Sequence, residues 1–229
     1  TIDEVAPSVG LHALFEAQAK RTPENIAVIQ GDNQLTYKEL DERSSYLRDH
    51  LIQRGVSRND IVAINMDRSP EMLVSLLGIL KAGGAYLPID AAMPPGRVEE
   101  ILTDSRAKVI VVCGDQSLST EFSSIMDVSR LDWDEADGCG NSIVVEGTDV
   151  VSVYYTSGST GKPKGVANHH QGWVNRMEWM QSYHQLREEE TVLHKTTLSF
   201  DDAAVEIFWP LIIGARVALM NPEEHKDPR

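Results

Sequence analysis

The amino-acid sequence predicts an α/β fold: mixed, mostly parallel sheets with helices packed on both faces. Three observations carry this. Short apolar runs rich in Val and Ile alternate with longer segments of helical period. Capping residues, proline and glycine mark the boundaries between them. A length of 229 residues, 41% of them hydrophobic, suffices for a large core without disulfide or metal staples.

The elements follow in order. Leu11 to Arg21 reads as a helix with Leu11, Leu14, Phe15 and Gln18 on one face. Ile26–Ile29 and Gln34–Thr36 are short strands around a Gly31-Asp32-Asn33 turn. Thr36 and Glu39 form a capping box for a helix that buries Leu40, Leu47 and Leu51 and stops at Gly55. A strand runs from Asp60 to Met66. Ser69 caps the next helix, Pro70 takes its first position, Met72, Leu73, Leu76, Leu77 and Leu80 form its buried face, and Gly83 ends it. Ala85–Ile89 is a strand, Pro95–Ser105 a helix and Val109–Cys113 a strand. Residues 114–149, rich in Ser, Asp and Gly, read as a surface connection with one or two short strands. Val150–Tyr155 is a strand running into a glycine-rich loop. His170–Tyr183 is a helix, Thr191–Thr196 a strand, Asp202–Ile213 a helix and Ala215–Met220 a strand.

Charge and cysteine content exclude several functions. Lys and Arg total 21 against 35 Asp and Glu, a net charge of −14. A non-specific nucleic-acid or membrane-surface binder needs the opposite sign. The longest apolar stretch, Met72–Leu80, falls far short of the ~20 residues that cross a bilayer. Cys113 and Cys139 are the only cysteines, which excludes a disulfide scaffold or a four-cysteine zinc site and fits a reduced, cytoplasmic protein. The N-terminus, Thr1-Ile2-Asp3-Glu4, has neither an initiator Met nor a signal-peptide layout. With an end at Asp227-Pro228-Arg229, the chain reads as a piece of a longer one.

The most informative segment is Thr156-Ser157-Gly158-Ser159-Thr160-Gly161-Lys162-Pro163-Lys164-Gly165, read between a strand and a helix. It packs three glycines, four hydroxyls and two lysines into ten residues. Glycine lets a backbone approach a ligand closely. N–H groups and hydroxyls donate to phosphate oxygens, and lysine supplies charge. A polyphosphate cradle and a plain surface loop both fit that composition. It is not a Walker A loop, since no Gly-Lys-Ser/Thr follows, nor a Gly-x-Gly-x-x-Gly fingerprint. Ser159-Thr160-Gly161-Lys162 matches Ser-x-x-Lys, but Gly161 and Pro163 break the helix start that motif needs.

Together with Tyr155, this segment resembles the phosphate-loop signature of the adenylate-forming superfamily. Three further segments resemble core motifs of one branch, the adenylation domains of nonribosomal peptide synthetases: Leu35-Thr36-Tyr37-Lys38-Glu39-Leu40, Leu80–Asp90 (LKAGGAYLPID) and Phe200-Asp201. Val174-Asn175-Arg176, Trp179-Met180-Gln181 and Phe208-Trp209-Pro210-Leu211 are also typical. Ala91-Ala92-Met93 and Ala203 depart from the pattern. The resemblance runs from about residue 8 to Arg229.

The resemblance implies ATP-dependent activation of an amino acid as an aminoacyl-adenylate, with release of pyrophosphate and loading onto the phosphopantetheine of a carrier protein. Carrier and condensation domains of the same synthetase are the implied partners. Thr156, Ser157, Gly158, Ser159, Thr160, Gly161, Lys164 and Gly165 would hold the ATP phosphates, with Lys164 and Thr156 acting in catalysis and Lys162 facing solvent. Asp201 matches the partner of the substrate ammonium; a helix N-cap is its other reading. Asp202 and Val205 match pocket positions, with Asp202 either accepting from a polar side chain or facing solvent. Phe200 matches an aromatic near the substrate carboxylate, or packs in the core.

The family pattern continues past Arg229 with the adenine and ribose contacts, the Mg²⁺ ligand and a lid lysine. Residues 1–229 thus read as a partial N-terminal core, incomplete for catalysis alone, with no metal ligand of their own. An acyl-CoA or aryl-acid ligase and a non-catalytic fragment are the alternatives. Elsewhere, His169-His170 lacks a third metal ligand, and His170 reads as packing or capping. Asp132, Asp134, Glu135 and Asp137 read as a solvated loop. Trp173, Trp179 and Met180 read as core.

Overall fold

A computed structural model describes residues 10–90, 92–114, 122–138, 140–157 and 163–220. The chain runs α1 (Leu11–Arg21), β1 (Ile26–Gln30), β2 (Asn33–Thr36), α2 (Tyr37–Gln53), β3 (Ile61–Asn65), α3 (Pro70–Lys81), β4 (Ala85–Pro88), α4 (Pro95–Ser105), β5 (Val109–Val112) and β6 (Ile125–Asp127). Then follow β7 (Val150–Ser157), β8 (Pro163–His169), α5 (His170–His184), β9 (Thr191–His194), α6 (Asp202–Ile213) and β10 (Arg216–Leu219). These strands form two sheets, one ordered β2-β1-β10-β9 and one β6-β5-β3-β4-β7-β8. All pairings are parallel except the hairpins β1–β2 and β7–β8 at the sheet ends.

Strand alternation divides the core. Val62 and Ile64 of β3 and Val109 and Val111 of β5 join a main cluster that also takes in Val28 of β1 and Val217 of β10. Ala63, Ile110 and Val112 join a second cluster against Val98, Ile101 and Leu102 of α4. Successive strand side chains point to opposite faces, so each strand serves both. Helix α3 is apolar nearly all round and sits in the main cluster, with 11 of its 12 residues buried. The expected caps are present. Glu39 N–H donates to Thr36 Oγ1 and Thr36 N–H to Glu39 Oε2 (3.1 and 2.7 Å), and Met72 N–H donates to Ser69 Oγ (3.2 Å). Gly78 lets α2 and α3 touch, since a Cβ there would stand 3.0 Å from Leu47.

Two polar links tie distant parts together. Tyr37 donates its hydroxyl to the Ala215 carbonyl at 2.6 Å, joining the start of α2 to the approach to β10. Lys81, fully buried at the end of α3, donates to Asp41 Oδ1 (2.6 Å), the Asp41 carbonyl (2.9 Å) and Ser45 Oγ (2.9 Å).

Buried His170 accepts the Leu11 N–H at Nδ1 (3.1 Å), satisfying a first-turn donor of α1, and its ring lies edge-on to buried His12. Burial lowers both imidazoles to about 4; the Lys81 charge adds to the effect on His12, and His12 to that on His170. The unfolded chain therefore binds more protons than the folded one between about pH 6.5 and about pH 4. Stability is full above that window and falls as pH drops through it, by up to about 1.4 kcal/mol per pH unit for each ring. Urea unfolding at about pH 7 and about pH 5 measures this, and His12→Phe should flatten the profile. Equal midpoints at the two pH values would remove the assignment.

Two expectations are corrected. The glycine-rich segment does not pass directly into a helix: Pro163–His169 returns as β8, antiparallel to β7 from Val150↔His169 to Ser157↔Pro163. An exposed edge strand needs no apolar alternation, and Pro at a strand's first residue costs no ladder bond. Trp179 is not core: it is 60% exposed and stacks on Tyr183, while Trp173 is buried. In the 114–149 connection the described residues form β6 and two 3₁₀ turns, Val128–Arg130 and Trp133–Glu135.

Candidate active site

The β7–β8 hairpin and the segment leading into α6 face each other. Between them lies a cavity of about 500 Å³ lined by Tyr154, Tyr155, Thr156, Val166, Asn168, Ser199, Phe200 and Asp201. A second, of about 210 Å³, is lined by Asn168, His169, Gly172, Trp173, Arg176 and Asp201. Asn168 and Asp201 belong to both. The larger cavity runs along the β7–β8 hairpin, where Val166 pairs with Tyr154 and Asn168 with Ser152.

Tyrosines anchor the β7 side. The Tyr154 and Tyr86 hydroxyls are 3.0 Å apart, and burial raises Tyr154 to about 12, so it stays neutral. The negative charge of Asp201 adds to that rise. Tyr155 donates its hydroxyl to Asp104 of α4 at 2.6 Å. Gly165 pairs with Tyr155, and a Cβ there would stand 3.0 Å from the phenol ring, so the glycine has a steric role in seating that ring.

Thr156 lines the larger cavity and pairs with Lys164 across the hairpin. Directly opposed residues of an antiparallel ladder share one face, so the hydroxyl and the exposed ammonium stem are neighbours. Ser157 closes β7. Gly158, Ser159, Thr160, Gly161 and Lys162 lie outside the described residues.

On the opposite side, Asp201 occupies the N-cap position of α6 with helical φ and ψ and makes no side-chain cap bond. Asp201 lines both cavities, and its side chain does not close the helix. Phe200 is 66% exposed and lines the larger cavity, which rules out its core-packing reading. Asp202 faces solvent and pairs with Arg176 at 3.2 Å. Val205 is buried in the main core. Neither Asp202 nor Val205 lines either cavity. Among the described residues, no three His, Cys, Asp or Glu side chains cluster as a metal site.

Tyr154, Asn168 and Ser199 line the larger cavity without having been singled out from the sequence, and Arg176, named above only as part of a typical segment, lines the smaller one. The signal that would have found Asn168 is the β8 register, which the polar composition of that strand conceals.

The chain is similar to known proteins along nearly its whole length. The sequence profile described as AMP-binding enzyme matches residues 15–229. Zwittermicin A synthase ZmaJ of Bacillus cereus is 42% identical over 97% of this chain and 43% of its own length. Tyrocidine synthase 3 of Brevibacillus parabrevis is 40% identical over 99% of this chain and 4% of its own. The chain thus spans less than half the length of these relatives. The nonribosomal peptide synthetase FmoA3, in its α-methyl-L-serine-AMP-bound form, superposes with a TM-score of 0.89 at 32% identity, over 98% of this chain and 25% of that one. The N-terminal subdomain of Klebsiella oxytoca NpsA, in complex with 3-hydroxyanthranilyl-AMSN, gives 0.82 at 28% identity, over 93% and 54%. With a family profile matched over residues 15–229, the chain belongs to the AMP-binding enzyme family.

Proposed function

We propose that the chain forms the N-terminal part of an amino-acid adenylation domain in a nonribosomal peptide synthetase. The observation that carries the reading is one cavity walled by both Thr156, at the phosphate-loop strand, and Asp201, the candidate ammonium partner. In the proposed reaction the substrate carboxylate oxygen bonds to the α-phosphorus of ATP. The bond from that phosphorus to the β-phosphate bridging oxygen breaks, and pyrophosphate leaves. The protein's task is to hold the reactants in line and to offset charge on the departing oxygens. Thr156 donates a hydroxyl to phosphate and Lys164 brings an ammonium to the same face; the glycine-rich sequence between them offers further N–H donors. Mg²⁺ neutralises polyphosphate charge when bound, and we assign it no ligand in residues 1–229.

Downstream, the aminoacyl group would pass to a phosphopantetheine thiol on a carrier domain and then meet a condensation domain. A cytoplasmic setting fits the cysteine usage, and no described helix is long and apolar enough to cross a membrane. The likeness to NpsA favours a second reading, an aryl-acid ligase. Asp201 argues against it, because an acid without an α-amine leaves that carboxylate unpaired.

Acid-dependent ATP–pyrophosphate exchange in the complete synthetase, with a panel of amino acids and aryl acids, separates the two. Exchange with one amino acid supports adenylation of that substrate, and exchange with aryl acids alone overturns it. In the active protein, Lys164→Ala should lower kcat by about 10- to 100-fold with the substrate preference unchanged. An unaltered rate would refute the role of Lys164.

A further inference from the structure

We propose that Glu206 is a positioning residue that sets where the Asp201 carboxylate meets the substrate ammonium. The inference rests on the adenylation reading and extends it to a group that touches neither cavity.

Glu206 lies on α6, about one and a half turns beyond Asp201. Its carboxylate reaches back to the start of the segment that leads to Asp201. Oε2 accepts from His194 Nδ1 at 2.9 Å and from the N–H groups of Lys195 and Thr196, both at 3.0 Å. Oε1 accepts from Thr196 Oγ1 at 2.6 Å. A carboxylate only accepts, so the buried His194 ring must carry its proton on Nδ1. Four donors from three successive residues converge on one side chain.

The segment is thereby closed on its own helix. Beyond Thr196 it turns back, with Phe200 N–H donating to the Thr197 carbonyl at 3.0 Å, and enters α6 at Asp201. The next contacts, Ala203 N–H to the Phe200 carbonyl and Ala204 N–H to the Asp201 carbonyl, are already helical. Residues 196–201 are thus held at one end by the Glu206 clasp and at the other by the helix carrying Glu206. Ser199, Phe200 and Asp201, which line the larger cavity, sit inside this closed turn. Burial pushes the Glu206 carboxyl up, but the Thr196 and Lys195 hydrogen bonds outweigh it and hold the group below its ordinary value, so both oxygens act as acceptors. Hydrogen bonds to a charged acceptor are the stronger kind, and a site displaced by about an ångström loses much of its rate.

The test uses Glu206→Ala, Glu206→Asp and Glu206→Gln in the complete synthetase. Alanine removes all four bonds. Aspartate keeps the charge but retracts it by one methylene. Glutamine keeps an acceptor in place of Oε2 and an N–H₂ able to donate to Thr196 Oγ1. The KM for the amino acid should rise about tenfold or more with alanine, and by an intermediate amount with aspartate, while the KM for ATP stays within about twofold. Glutamine should remain within about threefold of wild type. Amide hydrogen exchange at Lys195 and Thr196 should quicken in the alanine and aspartate variants and stay slow with glutamine.

Parallel rises in both KM values, or a wild-type amino-acid KM in the alanine and aspartate variants, would overturn the positioning role. Unchanged amide protection in those variants would overturn the clasp itself. A wild-type protein inactive with every acid tested would instead count against the adenylation reading, and the amide measurement would still report on the clasp.

Discussion

Asp201→Ala is expected to lower amino-acid-dependent pyrophosphate exchange in the complete synthetase by about 30-fold or more while leaving ATP binding intact. The Asp201 carboxylate makes no cap bond to α6 and lines both cavities, so its charge is free for a cationic substrate group. Removing one partner of a charge pair that bound substrate encloses costs about 2–5 kcal/mol, or about 30- to 5000-fold in kcat/KM. Asp201→Asn should fall in the same range, since it keeps size and shape but not charge. The same variant should lose its preference for amino acids over their deamino analogues, because the unpaired carboxylate that penalises those acids is gone. Steady-state exchange kinetics with each pair of acids measures both effects. Wild-type kcat/KM in Asp201→Ala would remove the ammonium role.

Lys81→Met should cost about 3 kcal/mol of folding stability, a large share of what a domain possesses. Lys81 is fully buried, and its ammonium serves the Asp41 carboxylate and carbonyl, Ser45 Oγ and, at 5.6 Å, the face of Phe15. Burial lowers its pKa, and Asp41 opposes that shift by favouring the charged form. Methionine fills the space and leaves Asp41 without its cation. The Asp41 side chain is 27% exposed and can recover some hydration, so the loss lies at the lower end of the range for broken buried pairs. Adding Asp41→Leu should restore part of it. Urea midpoints of the wild type and the two variants measure the effect, and a loss below about 1 kcal/mol for Lys81→Met would contradict it.

Much of the architecture is legible in local chemistry. Pro70–Lys81, Pro95–Ser105 and Asp202–Ile213 are bounded by proline, capping and glycine signals that act within a few residues, and the observed helices carry those ends. The sheet partners are not written locally: β1 pairs with β10, at the other end of the chain, because both bury valine against the same cluster. Strand β8 escaped because five of its seven residues, Lys164 to Ala167 and His169, are exposed and need no apolar pattern. Thr156 and Asp201 stand out because each sits in a contiguous motif. Glu206 does not: its partners lie on the preceding strand end and loop, so its helix position alone looks like an ordinary surface glutamate.

The Tyr37–Ala215 hydrogen bond has a temporal consequence. The two residues are 178 apart in sequence. At the usual rate of protein synthesis, roughly 10–40 s separates their emergence from the ribosome. The six-stranded sheet, complete by His169, can assemble in that interval. The β1–β2 hairpin cannot join its sheet, since β10, its parallel neighbour, is still to be made. Until β10 emerges, a nascent chain therefore carries β1 without its parallel neighbour and the Tyr37 hydroxyl without its Ala215 acceptor.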